Sequence, residues 1–273
     1  MVSVKVASFV SAVALIVTTA HTGARAADLP LPPAPPIEEY VPSGWYLRGD
    51  IGMTNQSVGT MHQRFEDHIS ETFDYKSKTF DSSPLFGIGV GYQFNSWLRT
   101  DFTAEYRSKA NLHAVAFGSQ GSIDDFQGSK SEYTFLVNAY LDLGTWYNIT
   151  PFIGAGIGAS YNQIHDFYDT CAALSCAGQM TAVADGTGNK WSFAWALHAG
   201  LAYQVTPSLS IELAYRYMNL GDAQSGYFHN VSNPQFPGPY EFNNITSHDL
   251  KLGVRWMLEP PQPVMLPPLI RKG

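Results

Sequence analysis

From residue 44 onward the chain alternates apolar and polar positions with period two, the pattern of strands whose two faces meet unlike surroundings. Trp45, Leu47, Gly49, Ile51 and Met53 alternate with Tyr46, Arg48 and Asp50, and Phe86, Ile88, Val90, Tyr92 and Phe94 with Gly87, Gly89, Gly91 and Gln93. The pattern returns at 98–107, 133–143, 152–161, 191–203, 209–217 and 248–258, which makes eight segments of about 9 to 14 residues. An average soluble strand has roughly 5–6 residues, whereas a tilted membrane strand needs about 9–11. One face is apolar with aromatics near its ends and the other is polar and glycine-rich, the reverse of a soluble sandwich. No comparably long stretch has a helical period.

The connections set the topology. Three are short: Asn95-Ser96, a turn near Thr145 to Ile149, and Thr206-Pro207-Ser208. Four are long, about Thr54 to Ser83, Ser108 to Ser131, Asn162 to Lys190 and Asn219 to Thr246. Alternating short turns and long loops are the periplasmic and extracellular ends of an outer-membrane barrel. The expected fold is therefore all-β: an eight-stranded antiparallel up-and-down transmembrane β-barrel with four long extracellular loops, occupying residues 44–258. An even strand number returns both termini to the periplasm, and closure leaves no unpaired strand edge in lipid. A soluble lipocalin-like barrel is the competing architecture.

Composition agrees. Charged residues make up 14% of the chain, against roughly 25% in ordinary soluble domains, while aromatics reach 14%. A mean hydropathy of −0.11 excludes a bundle of membrane helices, and a pI near 5.5 argues against nucleic acid as partner. The one long apolar stretch, Val6 to Ala20, follows Lys5 and leads to Ala24-Arg25-Ala26. It reads as a secretory signal peptide, residues 1–26, cleaved between Ala26 and Ala27. Its loss removes Lys5 and Arg25 and takes the net charge from −7 to −9. Residues 27–43 and 259–273 hold 11 of the 17 prolines, so both read as Pro-rich periplasmic tethers flanking the barrel.

Three stretches carry a family resemblance: Ala26-Ala27-Asp28-Leu29-Pro30, Gly44-Trp45-Tyr46-Leu47-Arg48-Gly49-Asp50-Ile51-Gly52, and Pro151-Phe152-Ile153-Gly154-Ala155-Gly156-Ile157-Gly158. They resemble the porin-like, outer-membrane immunogenic protein family, which groups with OmpA-type and OmpX-type eight-stranded barrels. The resemblance covers roughly Gly44 to Leu258 and implies an abundant surface protein of a Gram-negative outer membrane. Roles in that family range from envelope integrity to adhesion and haem binding. One feature departs from it: such barrels commonly end on an aromatic residue read by the barrel-assembly machinery, whereas here Trp256-Met257-Leu258 is followed by a further tail.

The inward positions carry Arg48, Arg99, Arg107, Arg216, Lys251 and Arg255 against Asp50, Asp101, Glu105, Asp142, Glu212 and Asp249, six charges of each sign. An unpaired charge in a narrow barrel is costly, and eight strands enclose little more than their own side chains. The expectation is a lumen charge network that plugs the barrel; a small-solute conduit is the alternative, and a wide porin is excluded.

Catalysis finds no assembled set. His68-Ile69-Ser70, with Glu71, has the spacing of a deacylase couple of lipid A-modifying barrels but falls inside a loop. His248 and Asp249 point to opposite faces of a strand, and His165-Asp166 and Asp124-Asp125 are short polar pairs of the kind chance produces. The chain is read as a non-enzyme that needs no cofactor and no metal. Cys171 and Cys176 lie in one loop, and a disulfide pinning its tip is expected in an oxidising compartment, with metal binding as the alternative. The loops also hold His62, His68, His113, His165 and His229 with Tyr75, Tyr168, Tyr227 and Tyr240, read as solvated residues; haem ligation through His/Tyr pairs is the sharper alternative.

The sequence thus reads as a monomeric structural barrel contributing to envelope integrity and surface interactions. Its partners would be outer-membrane lipid and lipopolysaccharide, the barrel-assembly machinery, and surface or host ligands met through the loops. The runner-up is a surface barrel that binds haem or a host protein.

Overall fold

A computed structural model of the chain describes residues 43–64, 73–119, 121–172, 180–230 and 238–259. Its strands, in chain order, are β1 (Gly44–Gln63), β2 (Phe73–Phe80), β3 (Ser83–Gln93), β4 (Leu98–Gly118), β5 (Ile123–Asp142), β6 (Ile149–Cys171), β7 (Met180–Asp185), β8 (Gly188–Thr206), β9 (Leu209–Gln224), β10 (Tyr227–Asn230) and β11 (Tyr240–Met257). Eight of these close into a ring of antiparallel pairs, β1–β3–β4–β5–β6–β8–β9–β11 and back to β1. The closing seam runs from Tyr46↔Met257 to Gln63↔Tyr240. The signal peptide, the Pro-rich tails from 27 to 42 and beyond 259, His68, Ser70 and Cys176 lie outside the described residues.

Turn chemistry shapes one end. Asn95 Oδ1 accepts from the N–H groups of Trp97 and Leu98, at 3.0 and 2.8 Å, and Thr206 Oγ1 accepts from those of Ser208 and Leu209. Trp146 and Ile149 exchange two 2.9 Å backbone bonds around Tyr147 and Asn148, whose φ values of 51° and 66° are those of a type I′ hairpin turn. These three turns sit where the short spacings in the sequence place them.

The opposite end differs from expectation. Much of what reads as long loop is strand: β1, β4, β5 and β6 run for 20, 21, 20 and 23 residues, and β2, β7 and β10 add further pairs. The alternation becomes hard to follow because it shifts phase. In β1 the buried positions are even-numbered through Val58 and then fall on Met61 and Gln63, with Gly59 and Thr60 both exposed. β4 slips at Ser108-Lys109, β6 at His165-Asp166, β9 at Gly221-Asp222 and β11 at Asn243-Asn244. Three of these slips contain a left-handed residue, Asp166 (φ 50°), Gly221 (φ 69°) or Asn244 (φ 54°), one of the backbone forms that bulges use.

Polarity inverts around these bulges. On the turn side the outer face is a band of Leu47, Ile51, Ile88, Phe102, Val137, Ile157, Leu201 and Val254, all exposed, and the inner face is charged. Approaching the bulges the outer face already turns polar, with Asn55 and Ser57 following Met53 on β1. There the inside holds an apolar cluster that includes Val58, Leu112, Phe126, Phe167, Leu220 and Phe242. Phe126 stacks on Phe167 at 5.8 Å, and Phe167 meets Phe242 edge-on at 5.4 Å. Tyr240 is buried in this cluster and Tyr75 packs against it, so neither is the solvated loop residue expected from the pattern. The chain therefore builds a membrane-type barrel and, beyond the bulges, a water-type barrel with an oily core.

The limits of the apolar band are testable. Ile88→Arg, in mid-band, is expected to lower unfolding stability in lipid vesicles by about 2–4 kcal/mol, whereas Asn55→Arg should stay within about 0.5 kcal/mol. Equal losses at the two positions would place the band elsewhere.

Candidate functional site

The inner face of the band is built by strands whose alternate residues have nowhere to point but the axis. All twelve charges anticipated there are buried, and two clusters organise them. Nearer the turns, Arg48 donates to Asp50 at 2.8 and 3.0 Å, to Asp101 at 2.8 Å and to the Tyr140 hydroxyl at 3.1 Å, and reaches Glu212 at 3.4 Å. Glu212 also accepts from Arg255 Nε at 2.9 Å and lies 3.3 Å from Arg99. Arg99 meets Asp142 at 3.1 Å and lies against the faces of Tyr140 and Phe152, at 4.3 and 4.8 Å from the ring centres. That aromatic contact holds a guanidinium carrying few hydrogen bonds.

Nearer the bulges, Arg216 grips Glu105 with two bonds of 2.9 and 2.6 Å and Asp249 with one of 2.8 Å. Arg107 bonds Asp249 at 2.9 Å, and Lys251 reaches Glu105 at 2.6 Å and Asp50 at 3.5 Å, which joins the two clusters. Asn138 links them to the wall, donating to Asp101 and Thr103, while its carbonyl lies 3.2 Å from His198 Nε2.

One buried pair was missed. Lys130 donates to Glu132 at 2.5 Å and to Gln56 at 2.9 Å, Gln56 donates to Glu132 at 2.7 Å, and Arg107 lies 3.6 Å from Glu132. Both residues are fully buried. They precede Tyr133, where the regular alternation in the sequence begins, so they read as loop residues. The only signal for them was a Lys-x-Glu spacing continuing the phase of β5. Among the described residues six lumen charges of each sign become seven, and this linked set stays neutral.

Among the described residues the other sequence candidates are not gathered into a site. Asp249 faces the lumen and His248 faces outward, its Nδ1 2.6 Å from the Tyr215 hydroxyl. His62 lies 3.5 Å from Glu241, His113 3.2 Å from Asp81, His229 3.5 Å from Asp185, and His165 2.9 Å from Ser131, each on a different strand pair. Tyr168 donates to Gln127, and Asp125 accepts from Gln127. Among the described residues no group of three or more His, Cys, Asp and Glu forms a cage for a metal ion. Cys171 is buried at the end of β6 and is not a free thiol.

One acid stands apart from both clusters. Asp169, on β6 beyond the bulges, is buried and accepts from the Thr181 hydroxyl of β7; no cation pairs with it among the described residues. Burial, with Asp124 and Asp125 nearby, pushes its carboxyl up to about 7. A carboxyl raised in the folded state stabilises it most below the unfolded value of about 3.9, and that contribution is lost as pH rises through about 7.

Two measurements follow. Arg216→Met is expected to lower stability by about 3–5 kcal/mol, and with Glu105→Gln the loss should fall short of the sum by more than about 0.5 kcal/mol. Strict additivity would mean that the pair is not coupled. Hydrogen-exchange protection of β7 should fall between about pH 5 and about pH 8 in the native chain and stay level in Asp169→Asn. A native profile as flat as that of the variant would remove Asp169 as its cause.

Comparison with known proteins supplies the family. An uncharacterised protein of Brucella abortus (strain 2308) is 34% identical over 232 residues, covering 77% of this chain and 80% of its own. An adhesin candidate of Rickettsia prowazekii (strain Madrid E) is 24% identical over 80% of this chain and 89% of its own length. Among solved structures, Neisserial surface protein A aligns with a TM-score of 0.45 at 19% identity, over 81% of this chain and 100% of that one. The family model described as the outer membrane protein beta-barrel domain matches residues 11–257. Since that match spans the whole closed ring of strands, the chain belongs to the outer membrane β-barrel family.

Proposed function

We propose that this protein is a non-conducting surface scaffold of a Gram-negative outer membrane. In this reading the turns and both termini face the periplasm, and the strand extensions beyond the bulges stand outside the cell. The observation that carries it is the filling of the interior at two levels. A neutral set of seven cations and seven anions packs the axis within the apolar band, and an aromatic and aliphatic cluster packs it beyond the bulges. A hydrated solute would have to displace ion pairs of 2.6–2.9 Å and then cross an oily layer. The paired charges act as a plug that also locks the wall strands together, and the barrel contributes to envelope integrity.

The rim would serve surface interactions, including adhesion, which the likeness to a Rickettsia adhesin candidate supports. Exposed Tyr227 and Phe117 offer contact area there. A bridge between Cys171 and Cys176 would close the β6–β7 connection into a short loop. Outer-membrane lipid, lipopolysaccharide and the assembly machinery are the partners this placement implies.

In planar bilayers the native chain is expected to give no resolved current steps, whereas Glu105→Ala/Arg216→Ala with Phe126→Ala should pass ions. Steps of equal size in both would overturn the plug. Protease added to intact cells is expected to cut only among residues beyond the bulges; cutting at Asn95-Ser96 would invert the orientation.

A further inference from the structure

The rim of the barrel carries a recess of about 440 Å³, within the roughly 300–1,000 Å³ of small-molecule sites. Arg64, just past β1, and Pro239, just before β11, form one wall. The β7–β8 turn with Asp185 and Asn189, and the β9–β10 connection with Gln224 and Tyr227, form the others. Backbone contacts fix its shape. The turn passes through Gly186 (φ 65°), and a Cβ at Gly188 would collide with the Ser225 carbonyl, as one at Gly226 would with the Asp185 carbonyl. Gln224 Nε2 donates to the Asn189 carbonyl at 3.1 Å, the Tyr240 N–H to Ser225 Oγ at 2.9 Å, and the Arg64 N–H to the Pro239 carbonyl at 3.1 Å. The walls are therefore tied before any ligand arrives, which spares binding the cost of ordering them.

The chemistry of the lining is mixed. Arg64 spends Nε and Nη2 on Glu241, at 2.8 and 2.6 Å, which leaves Nη1 to donate. Gln224 Oε1 and the Asp185 carboxylate are acceptors, and a carboxylate takes two neighbouring hydroxyls at once. Tyr227 adds an aromatic ring, 54% exposed, with a hydroxyl at its edge. Donors, acceptors and a flat apolar face in one recess match a sugar ring, whose hydroxyls both donate and accept and whose C–H face is apolar. Charge narrows the class. Among the described residues that line the recess Arg64 is the single Lys or Arg, and Glu241 already matches it. Asp185 adds an anion, with His229 3.5 Å away. A sulfated or carboxylated glycan would bring its charge to a carboxylate with no arginine or lysine to spare, whereas a neutral one meets only hydrogen-bonding partners.

We propose that this recess is a binding site for a neutral saccharide, with the sugar face stacked on Tyr227 and its hydroxyls shared among Asp185, Gln224 and Arg64. This gives a ligand class to the rim, and for its use at the cell surface it rests on the reading of the rim as the outward, adhesive end. Binding itself needs only the folded rim and does not depend on which way the barrel faces.

A glycan panel probed with the refolded full chain tests it, in an amine-oxide detergent that carries no sugar of its own. The panel sets neutral hexose and N-acetylhexosamine oligosaccharides beside sialylated and sulfated ones. Saturable binding to neutral members is expected, weakened about tenfold or more by Tyr227→Ala and by Asp185→Asn. Trp97→Ala, which removes an exposed aromatic at the turn end, should leave it unchanged. Heat-modifiable mobility checks the fold of each variant, and if Tyr227→Ala does not fold, Asp185→Asn carries the comparison. No binding, binding confined to the acidic members, or equal binding by the native chain and Asp185→Asn would overturn the site. The neutral member bound best, made fluorescent and added to intact cells, separates the two readings. Binding by the purified chain with none at the cell surface keeps the recess and overturns the outward placement of the rim.

Discussion

A backbone amide in a bilayer has no water to bond, so every N–H and C=O in the hydrocarbon must find a partner within the protein. Closing β11 onto β1 meets that demand for all eight ring strands at once. The rest of the structure follows from closure. A ring of eight encloses an axis only about as wide as side chains, and every second residue of each strand must point into it. What the chain places on that axis then becomes a packing problem.

The solution within the band is electrostatic. Fourteen buried charges in so small a space would be prohibitive one by one, yet they sum to zero and interlock: Glu105 holds Arg216 and Lys251, and Lys251 also reaches Asp50, which holds Arg48. Removing one member strands its partners in low dielectric, so the set behaves as a unit. Its worth lies more in tying several strands across the lumen than in the net energy of any single pair.

Past the bulges the solvent outside changes from lipid to water, and the barrel answers by exchanging its faces. A one-residue slip of phase moves the side chains of a strand from one face to the other. Asp166, Gly221 and Asn244 take a left-handed backbone at three of these slips. Surface contacts link several of these positions: Lys109 lies 3.7 Å from Asp166, Lys190 lies 3.7 Å from Asp222, and Asn219 donates to Asn244 at 2.6 Å. The transition between the two barrels is thus a built girdle. It also explains how long strands stand clear of the membrane with a core like that of a soluble protein.

The sequence by itself determined the eight strands of the band, their order, the three tight turns and the twelve inward charges. In those segments lipid on one face and a narrow axis on the other impose a strict period of two, and that period is local. It could not determine which cation meets which anion, because partners such as Glu105 and Arg216 lie on strands that do not pair directly with each other. Nor could it follow the strands past the bulges. A phase slip breaks the alternation, and the inverted pattern that resumes, polar outside and apolar within, resembles a polar loop sprinkled with aromatics. Lys130, Glu132, Tyr75 and Tyr240 were hidden for that reason. Only the closed ring, by fixing a common inside for all strands, decides that these residues are interior.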